Sequence, residues 1–98
     1  MKRMFTLPLA AVLALALGGP GFAACFADYK AKRDKPLRLH YGVIELSDAA
    51  CDDPGLARTE IARRIAVDNW NLLTVMSTFG RGGLGQREKN AGKFFLRY

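Results

Sequence analysis

Apolar and polar residues alternate through residues 37–46 (LRLHYGVIEL). Leu37, Leu39, Tyr41 and Val43 fall on one side at period two, which predicts a strand. After Gly42 the apolar positions move to Ile44 and Leu46, and that shift predicts a bulge at the glycine. The period then lengthens. Asp53-Pro54 reads as a helix start, because an Asp side chain caps free N–H groups and Pro suits the first helical position. The helix is expected to run to about Asp68, with Ala57, Ile61 and Ile65 as its buried stripe, flanked by Leu56, Ala62 and Ala66. Arg58, Arg63 and Arg64 lie off that stripe. Glu60–Arg64 and Arg64–Asp68 stand four apart, where opposite charges support a helix. Asn69 suits the left-handed conformation that ends one. Residues 70–79 (WNLLTVMSTF) predict a second strand, residues 80–85 a glycine-rich loop, and residues 86–92 a polar connection. Residues 93–98 (KFFLRY) predict a closing strand, with Phe94, Leu96 and Tyr98 on one face.

The expected architecture is therefore α+β in the order β-α-β-β: a sheet of about three strands with one helix on one face. The last two strands would pair as an antiparallel hairpin, and the helical connection allows a right-handed crossover. Trp70, Leu72, Met76, Leu39, Tyr41 and Phe94 are the residues expected to meet Ile61 and Ile65. The domain is expected to occupy residues 37–98, and residues 25–36 (CFADYKAKRDKP) read as a charged N-terminal arm tied down by Cys25.

The first 24 residues have a different character. Met1-Lys2-Arg3 is positive, residues 4–17 are uncharged and apolar, and Gly18-Gly19-Pro20-Gly21 breaks any helix before Phe22-Ala23-Ala24. Positive start, apolar middle and small-residue exit are the parts of a cleavable signal peptide. The apolar run is shorter than the roughly 20 residues a bilayer span needs. Cleavage after Ala23 satisfies the small-x-small rule better than cleavage after Ala24. Phe22-Ala23-Ala24-Cys25 also resembles a lipobox with Phe where Leu is usual, so a lipid anchor through Cys25 is the alternative route. Either way the expected compartment is outside the cytoplasm, a bacterial periplasm.

What remains is 74 residues, one small domain, carrying 13 basic and 9 acidic side chains. So short a chain buries only about 60% of its unfolded surface, and a covalent staple helps. Cys25 and Cys51 are the two cysteines, and in an oxidising compartment they are expected to form a structural disulfide. Two cysteines and one histidine are too few for a recognisable metal site, and no C-x-x-C is present.

A strand, then a helix ending in a Trp-led strand, then a closing aromatic strand resembles small bacterial domains of unknown function. Their shared core is a helix, then G-W-E-L-V-x-V, then a final strand such as Y-L-V-F-K-R. The matching stretches are residues 62–75 (ARRIAVDNWNLLTV) and 93–98. Asn69 stands where Gly is usual and Asn71 where Glu is usual. The resemblance implies the β-α-β-β layout and no catalytic residues.

Four motifs invite functional readings. Gly80-x-Gly82-x-x-Gly85 has the spacing of a dinucleotide fingerprint, but that motif needs a following helix and an acid about 20 residues on. Only 13 residues follow Gly85, without a helical apolar stripe, so a flexible loop is expected and no nucleotide. His40, the single histidine, has no nucleophile or orienting group in a recognised relation to it and is expected to be a partly exposed strand residue. Asp48, Asp52 and Asp53 lack the further ligands of a calcium loop and are explained by capping and turns. The basic residues of 30–38, the helix and 81–93 are interspersed with acids. For an exported protein they point to an anionic envelope surface rather than to nucleic acid.

The sequence therefore predicts a non-catalytic binding or interaction module without a cofactor, whose partner is another envelope protein or an anionic surface. A deep pocket lined by His40, Glu45 and Arg38 would reopen the case for an enzyme. A partner that adds to a sheet edge is the third possibility.

Overall fold

A computed structural model describes residues 24–98; the expected leader lies outside the described residues apart from Ala24. Strands β1 (Cys25–Arg33) and β2 (Arg38–Leu46) form a hairpin over a four-residue turn. A one-turn helix α1 (Asp48–Cys51) leads into α2 (Pro54–Ile65), which tightens to a 3-10 turn over Ala66–Asp68. Strand β3 (Asn71–Phe79) follows, then a 3-10 turn (Arg81–Gly83), helix α3 (Gly85–Ala91) and a last 3-10 turn (Gly92–Phe94). The three strands make one antiparallel sheet in the order β2-β1-β3.

The class is α+β, as expected, but the order of elements is β-β-α-β. Both ends of the expected domain differ. Residues 25–33 are not an arm; they are the central strand, hydrogen-bonded on both sides. Its charges hid it. Cys25, Ala27, Tyr29 and Ala31 face α2 and are buried, while Asp28, Lys30 and Lys32 alternate with them. Only Asp28 of those three is buried, and three hydrogen-bond donors surround it. Residues 93–98 are not a closing strand either, and no hairpin joins them to β3. They form a 3-10 turn and an extended tail that touches the sheet through a single parallel bridge, Val43 to Phe95.

The helix signals hold. Asp53 caps α2, accepting from the Leu56 N–H at 3.0 Å, and Pro54 is its first residue. Asn69 closes the 3-10 turn in the left-handed region, φ 66°. Ala57, Ile61 and Ile65 are buried against Tyr29, Ile44 and Trp70. Glu60 and Arg64 pair at 2.9 Å. Arg64 is more than a supporting charge, for it donates to the carbonyl oxygens of Glu45 and Tyr98 as well. It does not reach the Asp68 carboxylate, which accepts from the Tyr98 hydroxyl.

Both faces of the sheet are covered, which explains the break in the β2 pattern without a bulge. Ile44 and Leu46 face α2, while Val43 faces the other side, where α3 packs and Ala91 is buried. Gly42 stays in register opposite Tyr29. A Cβ there would stand 2.5 Å from the Tyr29 hydroxyl oxygen, so the glycine makes room for the ring. The bulges lie instead in the β1–β3 pairing, between Asp28 and Tyr29 and between Lys30 and Ala31. They leave Met76 and Leu73 as the extra residues of β3, and both are exposed. Met76, Leu39 and Tyr41 are therefore absent from the α2-facing core, while Trp70, Leu72 and Phe94 belong to it or pack on it.

After α3 the chain turns around the outer edge of β2. Leu96 N–H donates to the Val43 carbonyl at 2.8 Å, and Tyr98 then reaches α2 and Asp68 on the opposite face. Cys25 and Cys51 are joined, their Cα atoms 5.7 Å apart, which staples the start of β1 to α1. That sulfur is committed to the bridge and is not free to carry a thioether-linked lipid. Among the described residues no helix is long and apolar enough to cross a membrane.

Candidate anion-binding cleft

The hairpin end of the sheet carries the chemistry. Arg33 ends β1, Arg38 begins β2, Asp68 ends the 3-10 turn after α2, and Trp70 precedes β3. The tail after α3 brings Lys93, Phe94, Arg97 and Tyr98 to the same place. Together with Leu39 these residues line a cleft of about 280 Å³.

The wall of this cleft is an aromatic stack. Trp70 and His40 are buried, with 5% and 8% of their surface exposed. His40 stands edge-on to Trp70 with ring centroids 4.2 Å apart, and Phe94 meets Trp70 edge-on at 5.5 Å. The Arg33 guanidinium lies 4.2 Å from the Trp70 ring centre, and the Lys93 ammonium 5.4 Å from that of Phe94. Cations over ring faces are held by the ring quadrupole. Arg33 is fixed further by donating to the Asp68 carbonyl at 3.0 Å. His40 Nε2 and the Tyr29 hydroxyl form a buried hydrogen bond of 2.9 Å. His40 Nδ1 and Trp70 Nε1 are buried without a hydrogen-bond partner. Such groups typically cost about 1–3 kcal/mol each, so their place beside the cleft sets this region apart from the rest of the core.

The electrostatics follow from this packing. Burial, reinforced by the charges of Arg33 and Lys93, pushes the His40 imidazole down to about 4. Burial likewise raises the Tyr29 hydroxyl well above its ordinary value. Both groups of the pair are neutral at ordinary pH. The side-chain charge of the cleft thus comes from Arg33, Arg38, Lys93 and Arg97, against one side-chain carboxylate, Asp68, already engaged by Tyr98.

Comparison with family models, curated proteins and solved structures finds no match.

The residues singled out in the sequence are scattered. His40 is buried rather than partly exposed, because Phe94 and Trp70 close over it. Arg38 lines the cleft. Glu45 is exposed near the far end of β2, two positions from the Val43 that faces α3, so His40, Glu45 and Arg38 form no common pocket. The glycine motif is followed by a helix after all, α3. That helix has seven residues, its Arg87 turns back to the Gly83 carbonyl and to Asp28, and no strand follows it among the described residues. The βαβ unit on which dinucleotide binding depends is not formed.

Sequence reasoning missed the cleft because its cations lie far apart in the chain, at Arg33, Arg38, Lys93 and Arg97. The one local signal was Arg33 and Arg38 flanking a short turn. The opposite face hides a second cluster, in which Asp28 accepts from Ser77 and Tyr41 hydroxyls at 2.7 and 2.8 Å and from Arg87 at 3.0 Å. Burial alone would raise this carboxyl, but the three donors outweigh it and hold it below its ordinary value. Every partner is used within the fold, so this cluster locks α3 and Tyr41 to the sheet.

Proposed function

We propose that this is an exported, disulfide-stapled, non-catalytic binding module that seats an anionic group between Arg33, Arg38, Lys93 and Arg97. The observation that carries the reading is the charge of the cleft: four cations around an aromatic wall, Arg33 and Lys93 resting on its rings, facing one side-chain carboxylate that is already bonded. Guanidinium groups match phosphate and carboxylate oxygens in geometry as well as charge, and three of the four cations are arginines. Export to an oxidising compartment, in this reading a bacterial periplasm, is supported by the leader sequence and by the Cys25–Cys51 bridge.

The test uses Trp70, the single tryptophan, as reporter. Inorganic phosphate should change its fluorescence saturably in the wild-type protein, and Arg38→Gln/Arg97→Gln should weaken that response about tenfold or more. An unchanged titration in the double variant would refute the assignment.

A second reading has its own support. Residues 70–80, which include all of β3, contain no charged side chain, and β3 has no strand beyond it among the described residues. Beside it runs a more apolar groove of about 550 Å³ between β3 and the start of α2. An envelope protein adding an extended segment there would use the sheet edge. Pull-down from envelope extract that is lost on Thr74→Pro would favour it over the cleft.

A further inference from the structure

We infer that the hairpin end docks on an anionic lipid bilayer, with Leu37, Leu39 and Val67 entering the headgroup layer and the cleft receiving a lipid phosphate. This rests on the proposed reading of the cleft as an anion site and names the source of the anion.

Two independent features meet at this end. The first is charge. Lys32, Arg33, Lys35, Arg38, Lys93 and Arg97 gather around the turn and the cleft, against Asp34 and Asp68. Of these two carboxylates, Asp34 pairs with Lys32 at 3.4 Å and Asp68 accepts from Tyr98. The remaining seven cations of residues 25–98 are matched by seven carboxylates elsewhere. The positive surplus of the side chains of residues 25–98 therefore sits on one end of the domain, which gives it a field pointing one way. Interspersion along the sequence concealed this.

The second is apolar exposure. Val67, Leu39 and Leu37 are the three most exposed large hydrophobic residues described, at 74%, 66% and 63%. Leu37 stands at the end of the turn, Leu39 lines the cleft, and Val67 adjoins the cleft residue Asp68. Scattered exposed leucines need no explanation, but exposed apolar side chains at the end of the sheet that carries the cations are what an anionic headgroup layer accommodates. Cations near such a surface add favourable binding that falls away within a Debye length and is weakened by salt. A soluble phosphorylated molecule would engage the cations and leave the three apolar side chains in water. A bilayer engages both.

The experiment is flotation of the intact, disulfide-bonded protein with two kinds of vesicle, phosphatidylcholine alone and phosphatidylcholine containing phosphatidylglycerol. The protein should float only with the second and be released by high salt. Leu37→Ser/Leu39→Ser keeps every charge and should weaken vesicle binding about tenfold. Arg38→Gln/Arg97→Gln should lose about fivefold per charge removed. Leu56→Ser, exposed on α2 away from the cleft, should bind as wild type. Equal binding to both vesicles, or undiminished binding of the double leucine variant, would overturn the inference. Glycerol 3-phosphate provides the separating arm. If it saturates the Trp70 response while vesicles are ignored, bilayer docking fails and the anion cleft stands. If neither is bound, both fail.

Discussion

His40 lies flat against Phe94, with ring centroids 3.7 Å apart and planes within 8° of parallel. This contact ties the tail after α3 to the sheet hairpin, two parts of the chain more than fifty residues apart in sequence. Phe94 also touches the Trp70 ring edge-on, so its loss would open the wall of the cleft. Phe94→Ala should destabilise the fold by about 2 kcal/mol, below the usual range for a fully buried Phe because Phe94 is half-buried. Urea denaturation would measure this. The same variant should weaken the phosphate response of Trp70, because Lys93 loses the ring it rests on.

The depressed imidazole sets a pH dependence. His40 titrates near 4 when folded against an ordinary value of 6.5, so in that window the unfolded chain binds more protons than the folded one. Its contribution is complete above 6.5 and is lost as pH falls toward 4, amounting to roughly 3 kcal/mol at most. His40→Phe retains the stacking on Phe94 and removes the titration. Denaturant midpoints measured between these pH values should fall in the wild type and stay nearly level in the variant, relative to each other.

The carboxylates Asp28 and Glu60 act at lower pH. Burial opposes the Glu60 charge, but two bonds from Ser47 and one from Arg64 hold its carboxyl below the ordinary value, as the donors around Asp28 do there. Both contribute stability above the ordinary carboxylate values that disappears as pH falls through the folded ones. Asp28→Asn leaves Arg87 facing a neutral amide and should cost about 2–3 kcal/mol at neutral pH. The loss relative to wild type should shrink on acidification, which thermal melts at successive pH values would show.

Reducing the Cys25–Cys51 bridge releases a loop with a sequence separation of 26. The chain-entropy relation gives about 3.5 kcal/mol for that length, a large share of the stability of so small a domain. Cys25→Ser/Cys51→Ser should show a denaturant midpoint lower by the corresponding amount, and adding reductant to it should change nothing further.

Gly42→Ala tests the close approach beneath Tyr29. The added methyl would meet the Tyr29 ring and hydroxyl at 2.5–2.8 Å. Repacking should cost about 1–3 kcal/mol and disturb the Tyr29–His40 bond. Nuclear magnetic resonance of the His40 ring would report the second effect.

The elements with their own local signals were legible: α2 from Asp53, Pro54 and its Ile stripe, β2 and β3 from their apolar runs, and the pairing of the two cysteines. What failed had a common cause, side chains whose partners lie far away. Asp28 reads as surface until Ser77, Tyr41 and Arg87 are brought to it. Residues 85–91 (GQREKNA) have no apolar stripe, and only the run of helix-forming Gln, Arg, Glu and Lys could have signalled α3. Residues 93–98 alternate like a strand because Phe94 faces His40 while Phe95 bridges to Val43, contacts made by a tail bending around an edge. The cleft was least visible of all, since charge counted along the chain averages out an asymmetry that exists only in space.

The clasp of the tail over Val43 has a consequence for self-association. A three-stranded sheet has two rims that could template another chain, and here one is sealed at its middle by Phe95 and Leu96. The other is the uncharged β3. Copies meeting through that remaining rim are expected to end as a pair, because the tail interrupts the other rim at Val43.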